Sequence, residues 1–208
     1  MSPKVVDKEM RKRALARGAL GVFAEMGFEG ASVSKIAAAA GVGKGTLYEY
    51  FESKEEMVAV TLMVWIEDVM LGLESAFEGV EEPQVRLKMF VESSMEAFLA
   101  DKKMIQFSLA IFHMLVGHPE LMEKYQVVGQ LYDKVSGILV RMMEEGAAEG
   151  VFREEILADV RERAINVLAY LDGISLHYYL EEGAVDVRKQ VGLFMEGFLE
   201  GIQKRHKA

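Results

Sequence analysis

Residues 32–57 constrain the fold most, because they predict two short helices joined by a tight turn and followed by the start of a third. Ser32 can cap the first helix, which has apolar residues at intervals of three and four. Gly41 stands where a helix needs a left-handed residue to end. Leu47 and Phe51, four residues apart, give the second helix a buried side, and a capping-box sequence at 53–56 opens the third. This pattern predicts a helix-turn-helix, whose second helix enters the major groove of DNA.

The residue identities in this part of the chain match a more specific pattern than the general helix-turn-helix. It includes, in order, Gly27-Phe28, Ser32-Val33, Ile36-Ala37, Ala40-Gly41-Val42, Lys44-Gly45-Thr46-Leu47-Tyr48, Tyr50-Phe51 and Ser53-Lys54-Glu55. It closely resembles the TetR family of bacterial transcriptional regulators, and a weaker similarity to that family lies at residues 145–153 and at Asp172-Gly173. Gly43 departs from the pattern, because many members have a Ser or Thr cap there, which predicts a less firmly started second helix.

The resemblance also implies which residues contact DNA. It assigns five to the major groove: Lys44, Gly45, Thr46, Tyr48 and Tyr50. It assigns three to phosphate contacts: Ser32, Ser34 and Lys54. Glu49 is the exception in this helix, since a carboxylate near phosphates is unfavourable unless it accepts a hydrogen bond from a cytosine amino group or points sideways.

The charge of the chain is divided unevenly along its length. Residues 1–54 contain nine Lys and Arg against six Asp and Glu, for a net charge of +3, whereas residues 55–208 have a net charge of −12. An acidic body repels phosphates, so contact with DNA is confined to the N-terminal end. We therefore predict a DNA-binding domain at 1–54, with its motif at about 32–51, and a ligand-binding and dimerisation domain at 55–208.

The rest of the chain reads as helix, since it has three prolines and no alternating β-branched runs. Besides the two motif helices, the periodicity predicts helices over 8–26, 53–77, 83–100, 103–116, 119–149, 157–182 and 185–204. The prediction is thus an all-α protein of about nine helices, with a three-helix head and a C-terminal helical bundle.

The segment 103–116 is apolar nearly all round, as in a helix at the middle of a bundle. Its polar residues either find partners in the core or line a ligand cavity, and the sequence leaves both readings open. The predicted cavity residues are Met70, Phe90, Phe98, Met104, Gln106, Phe107, Phe112, His113, Tyr125, Tyr132, Asn166, Tyr170 and His177. The stripe of Asn166, Tyr170, Gly173 and His177 also suits a subunit interface. A mostly apolar cavity with few polar groups predicts a hydrophobic effector.

The last predicted helix has a broad apolar stripe that must be buried against another part of the protein or another subunit. The stripe consists of Val191, Phe194, Phe198 and Ile202, with Gly197 and Gly201 allowing close approach of another backbone. The family resemblance implies that the last two helices of each subunit form a four-helix dimer interface. We therefore expect a homodimer that uses this stripe.

Other features exclude several classes of protein. The chain has no cysteine, no signal peptide and no apolar run near the ~18 residues of a membrane span. Residues 41–46 superficially suggest a phosphate loop, but Gly45 follows the lysine where Ser or Thr is required. The four histidines are too scattered for a metal site, and no catalytic constellation is present. We expect a cytoplasmic protein with no membrane segment, metal, cofactor or enzymatic activity.

Two functions remain. The first is a homodimeric regulator that binds a double-stranded DNA operator, represses transcription and is released by a small hydrophobic effector. The alternative is a DNA-binding protein of the same type that has no small-molecule effector and is controlled by a protein partner or is constitutive. A filled core around His113 would favour the alternative.

Overall fold

The computed structural model describes residues 3–100, 105, 108, 126–181 and 184–204. Within these ranges the protein is all-α, as predicted, and its only extended pairing is one isolated antiparallel bridge between Phe152 and Gln203. The helices are α1 (Pro3–Gly30), α2 (Val33–Ala39), α3 (Lys44–Tyr50), α4 (Lys54–Ala76), α5 (Pro83–Leu99), α6 (Val127–Ala148), α7 (Val160–Leu180) and α8 (Val187–Ile202), with a short 3-10 helix at Glu154–Asp159. None of these described helices is long and apolar enough to cross a membrane.

Among the described residues, 3–68 belong to one compact unit, which is called the head below. Its core combines apolar side chains from α1, α2, α3 and the first part of α4, namely Leu15, Ala16, Ala19, Phe23, Ile36, Ala37, Leu47, Phe51, Met57, Val58 and Val64. On α1 the residues that face this core recur at helical spacing, and Leu20 packs against them while only partly buried. Gly27 leaves helical geometry with φ 65° at the predicted end of the first helix, although helical hydrogen bonding continues to Gly30.

Three ion pairs join α1 to α4 within the head. Lys12 Nζ lies 2.6 Å from Glu56 Oε1, Arg17 Nε lies 2.6 Å from Asp68 Oδ2, and Arg13 pairs with Glu67. The carboxylate-bearing residues Glu56 and Glu67 are buried. Buried carboxylates require cationic or hydrogen-bonding partners, so these pairs fix the packing of α1 on α4.

Described residues 69–100 and 132–204 form a second compact unit. Its core contains Leu87, Phe90, Val91, Leu139, Met143, Phe152, Ile156, Ala164, Val167, Val191, Met195 and Ile202. The segment after α6 pairs with the end of α8: Arg153 N–H donates to Ile202 O at 2.8 Å, and Lys204 N–H donates to Val151 O at 3.0 Å. The end of α8 is therefore held by backbone hydrogen bonds as well as by its apolar face.

Three predicted helices differ from those observed. The first, predicted over 8–26, extends from Pro3 to Gly30. The single helix predicted over 119–149 is wrong at Gln126, whose φ of 48° is incompatible with helix, and α6 begins at Val127. The helix predicted over 157–182 begins instead as the 3-10 turn, and α7 starts at Val160. Of the predicted helix at 103–116, only residues 105 and 108 are described, and both are helical. The domain boundary at residue 54 stays a prediction, and the compact head includes the first part of α4.

Candidate nucleic-acid interface

The turn between α2 and α3 is closed by backbone hydrogen bonds. Gly41 has φ 67°, its N–H donates to Ala38 O at 3.1 Å, and Val42 N–H donates to Ala37 O at 2.9 Å. This pair of bonds is the Schellman pattern, which satisfies the last carbonyls of a helix and sends the chain off in a new direction. At the other end of α2, Ser32 Oγ accepts from Lys35 N–H at 3.4 Å, as expected of its predicted cap.

The recognition helix α3 is oriented by one apolar residue. Leu47 has no exposed surface, and Phe51, just after the helix, is 2% exposed. Because successive helical residues are about 100° apart, positions two before and two after Leu47 lie about 160° away from it. These positions are Gly45 and Glu49, and both are exposed. They form the centre of the outward face of α3.

The other predicted major-groove residues flank this centre. Lys44 and Tyr48 are exposed on one side, and Tyr48 keeps 54% of its surface. Thr46 and Tyr50 lie on the other side and are half-buried, and Tyr50 packs against the core of the head. The outward face thus groups four of the five predicted residues with Glu49, whereas Tyr50 is partly structural.

The predicted phosphate contacts lie at helix starts. Ser32 and Ser34 are exposed at the beginning of α2. Lys54 opens α4, and its Nζ lies 4.3 Å from the centroid of the Phe28 ring, a cation–π distance that restricts the side chain. Contact between DNA and any of these residues remains a prediction.

Glu56 joins three parts of the head, a role that sequence reasoning assigned only in part. Its N–H donates to Ser53 Oγ at 3.2 Å, which confirms that Ser53 caps α4. Its carboxylate accepts from Glu52 N–H at 2.5 Å and from Lys12 Nζ at 2.6 Å. The capping box predicted the bond to Ser53 Oγ, but no sequence signal indicated the bond from Glu52 N–H or the pair with Lys12, which is distant along the chain.

Residues 15–61 match the sequence model of the family described as bacterial regulatory proteins, tetR family. This part of the chain is therefore similar to the DNA-binding region of the TetR family. The chain is 26% identical over 210 residues to the HTH-type transcriptional repressor KstR2 of Rhodococcus jostii (strain RHA1), and the alignment covers 99% of this chain and 100% of the relative. The predicted resemblance to the TetR family is therefore confirmed.

Solved structures show the same fold. The fatty acid degradation regulator FadR of Bacillus halodurans is similar with a TM-score of 0.69 and 24% identity, covering 99% of both chains. The transcriptional regulator FadR of Bacillus subtilis, solved in complex with stearoyl-CoA, has a TM-score of 0.66 and 21% identity, covering 91% of this chain and 98% of that one. The all-α fold that the sequence predicted is the fold of these TetR-type regulators.

The predicted effector residues fall into four groups, and the exposed Asn166 and His177 form one of them. Six of them lie outside the described residues: Met104, Gln106, Phe107, Phe112, His113 and Tyr125. Phe90 is 1% exposed and belongs to the core of the second unit. Met70, Phe98, Tyr132 and Tyr170 are half-buried and pack against that core. The described aromatic residues thus fill space between helices.

Two of the predicted cavity tyrosines have protein partners. Tyr132 donates a short hydrogen bond to the carboxylate of Asp172. Burial and this hydrogen bond both raise the pKa of Tyr132. The Tyr170 hydroxyl donates to Gln190 O at 2.9 Å, and its ring stacks on Phe194 with 3.9 Å between the centroids. Both side chains therefore connect neighbouring helices of the bundle.

The assignment of Asn166 and His177 to a cavity is not supported by their positions. Both side chains are exposed on α7, together with Gly173, and His177 Nδ1 lies 3.7 Å from Glu181 Oε1. An exposed face of α7 fits the other interpretation of this stripe, a subunit interface. Sequence spacing alone does not show which side of a helix faces its own core.

Of the four residues in the predicted interface stripe on α8, two are buried in the subunit's own core and two are half-buried. Val191 and Ile202 are at most 1% exposed inside the second unit, so these two residues are core and are unavailable to a partner subunit. Phe194 and Phe198 are half-buried, with their rings 6.0 Å apart. Sequence reasoning missed the more exposed apolar residues of α7 and α8: Ile165, Leu176, Leu180 and Leu193.

A surface concavity of about 510 Å³ lies at the end of α6. It is lined by Glu144, Ala147, Ala148, Glu154 and Leu157. None of these residues belongs to the predicted effector set, and two carboxylates do not suit an apolar guest. It does not correspond to the predicted cavity.

Proposed function

We propose that this protein is a homodimeric, sequence-specific DNA-binding repressor that a small hydrophobic effector releases from its operator. The observation that carries the proposal is the outward face of α3, which has Gly45 opposite the buried Leu47 and the exposed Lys44 and Tyr48 at its side. A short helix anchored by its buried side on a compact three-helix core can enter a major groove without unfolding. The relative KstR2 is itself a transcriptional repressor.

Charge supports a DNA surface limited to a small part of the head. Three of the nine cations in residues 1–54 are paired with carboxylates of α4: Lys12, Arg13 and Arg17. The exposed Lys44 and the cation of Lys54 are therefore the better candidates for phosphates. With so few phosphate contacts, one head binds weakly, and two heads on one operator supply the required affinity.

The dimer is proposed through the outer faces of α7 and α8. Leu176 is 43% exposed, Leu180 65% and Leu193 55%, while Gly173, Gly197 and Gly201 are exposed beside them. Large apolar side chains next to exposed glycines allow another helix to approach closely and be buried. The two faces together resemble half of a helical bundle, which a second copy would complete.

The effector is proposed to be an apolar molecule such as a long acyl chain. Support comes from the apolar composition of the bundle and from the similar FadR, which was solved with stearoyl-CoA. The sequence favours a neutral or weakly charged ligand, whereas a coenzyme A thioester carries several negative charges. The acyl chain alone and the thioester are therefore separate candidates. The alternative without an effector gains some support from Phe90, which fills the core where a cavity was predicted.

Selection of DNA from a randomised duplex library tests the DNA-binding part. We expect the full-length protein to enrich a palindromic sequence whose half-sites are about one helical turn apart. Enrichment of no sequence, or binding that does not distinguish the enriched duplex from random duplex at physiological salt, would overturn the proposal.

Release from the enriched duplex tests the effector part. Fluorescence anisotropy of a labelled operator is measured while stearate, stearoyl-CoA or free coenzyme A is added. Release by stearate or stearoyl-CoA but not by coenzyme A supports an acyl-binding cavity. No release by a broad set of lipophilic compounds would support the alternative without an effector.

A further inference from the structure

Glu49 occupies the centre of the surface that α3 turns away from the head. It lies about 160° round the helix from Leu47, which has no exposed surface. The sequence left two orientations open for this carboxylate, towards DNA or sideways. The burial of Leu47 decides between them, and Glu49 faces outward beside Tyr48.

The surroundings of Glu49 leave its carboxylate available. Among the described residues, no cation lies within ion-pair distance of it. Gly45 stands one turn earlier on the same side, and a side chain there would meet nothing within 4 Å. Without a side chain at Gly45, the edge of a base can come close to the backbone of α3, within reach of Glu49.

A carboxylate in this position makes contact with DNA selective. It repels phosphates and base acceptors, so it lowers the affinity for DNA in general. In the major groove, cytosine offers its N4 amino donor to a carboxylate, whereas guanine offers only acceptors. Adenine has an N6 donor, but its N7 acceptor lies next to it and repels a second carboxylate oxygen. A hydrogen bond from cytosine N4 therefore best offsets the electrostatic repulsion between this carboxylate and DNA.

We propose that Glu49 is a base-reading residue that selects cytosine by accepting a hydrogen bond from its N4 amino group. This inference rests on the proposed DNA-binding function. It adds a specificity determinant that the predicted contact residues did not include. Glutamine at the same position could accept from adenine N6 and donate to adenine N7, so Glu49→Gln should change the preferred base instead of only weakening it.

The test is selection from a randomised duplex library with the full-length wild type, Glu49→Ala and Glu49→Gln. Glu78→Gln makes the same change in net charge in the second unit and serves as the control. We expect the wild type and Glu78→Gln to select cytosine at one position of each half-site. Glu49→Ala should lose the preference at that position alone, and Glu49→Gln should select adenine there.

Affinities for duplexes that differ only at that base pair give the magnitude. The wild type should discriminate against the other bases about tenfold, and Glu49→Ala less than about twofold. Glu49 is exposed, so circular dichroism spectra and melting temperatures should be unchanged. If the wild type and Glu49→Ala select the same sequence, or the affected position prefers another base in the wild type, the inference is wrong. If the wild type selects no sequence, the proposed function itself fails.

Discussion

At the scale of single residues, depth of burial separates neighbours in α3. Leu47 has no exposed surface, whereas Tyr48 keeps 54% of its own. A substitution at Tyr48 should therefore affect binding and leave the fold intact. This distinction is useful because most mutations that abolish function do so by destabilising the protein.

Tyr48→Ala should abolish specific DNA binding while the melting temperature barely changes. Tyr48→Phe keeps the ring that can contact thymine methyl groups and removes the hydroxyl, so it should retain part of the affinity. Anisotropy with the selected operator and thermal denaturation measure the two properties. Equal operator affinity of Tyr48→Ala and wild type would contradict the assignment.

Gly146 shows the opposite kind of residue, one whose role is steric. A Cβ at this position would lie 2.3 Å from the ring of Phe152 and 3.1 Å from Pro83. Gly146→Ala should destabilise the second unit by about 1–3 kcal/mol, because a buried ring has to move. Gly137→Ala, in the same helix, places its Cβ at an ordinary 3.9 Å from Arg141 and should be neutral or slightly stabilising. Urea denaturation compares them, and equal stability of the two variants would rule out the steric role.

At the scale of elements, the helix-turn-helix depends on one backbone conformation. Gly41 has φ 67°, and a side chain there would meet no atom within 4 Å, so Gly41→Ala should cost about 1–2 kcal/mol through backbone strain alone. Gly43 has φ −78° and ψ 155° at the N-cap of α3, where serine is favoured. Gly43→Ser should therefore stabilise the head by roughly a few tenths of a kcal/mol. Denaturation curves that showed the two variants shifted in the same direction would disprove this account.

The packing of α1 on α4 contains a buried and an exposed ion pair that can be compared. Glu67 keeps 7% of its side-chain surface, whereas Asp68 keeps 39% and Arg17 51%. Arg13→Ala should cost roughly 2–3 kcal/mol, because it removes a cation that pairs with a buried carboxylate. Arg17→Ala should cost less than about 1 kcal/mol, since its pair is screened by water. Similar losses of stability in the two variants would show that burial does not determine how much each ion pair stabilises the head.

The exposed pair should also depend on pH in a defined direction. The hydrogen bond from Arg17 lowers the pKa of Asp68 below its ordinary value. The contribution of this ion pair to the free energy of unfolding is therefore present at neutral pH. It is lost as the pH falls through the lowered pKa of Asp68. The stability difference between wild type and Arg17→Ala should shrink in acid. A difference that stayed constant with pH would mean that Arg17 stabilises the head by packing instead of charge.

At the scale of the whole molecule, the exposed apolar faces of α7 and α8 predict the assembly. Leu193 is 55% exposed on α8, so Leu193→Glu should yield monomers without unfolding the subunit, and the affinity for a two-half-site operator should fall with dimerisation. Phe198→Glu should also give monomers but is a poorer probe, because Phe198 is half-buried against the core. Leu71→Glu, at 59% exposure on α4, is the matched control and should remain dimeric. Sedimentation velocity that found Leu193→Glu dimeric would place the interface elsewhere.

The sequence by itself determined the helix-turn-helix and most of the other described helices of this protein. The ends of its helices depend on interactions within a few residues. The N-cap at Ser32, the left-handed conformation of Gly41 and the Ser53 cap of α4 are all as the sequence predicted. The family followed from the same short region, because the helix-turn-helix needs particular residues at fixed spacing. These are interactions within a few residues, which periodicity and capping rules describe well.

Only the tertiary structure decided which face of each helix is buried and which distant residues meet. Spacing put Val191 and Ile202 on one stripe with Phe194 and Phe198, but the core of the second unit takes the first two completely. Sequence spacing likewise allowed two orientations for Glu49, and the burial of Leu47 showed which side of α3 faces outward. Periodicity gives a helix an apolar side, whereas the elements that pack on it determine how wide that side is and what remains for a partner.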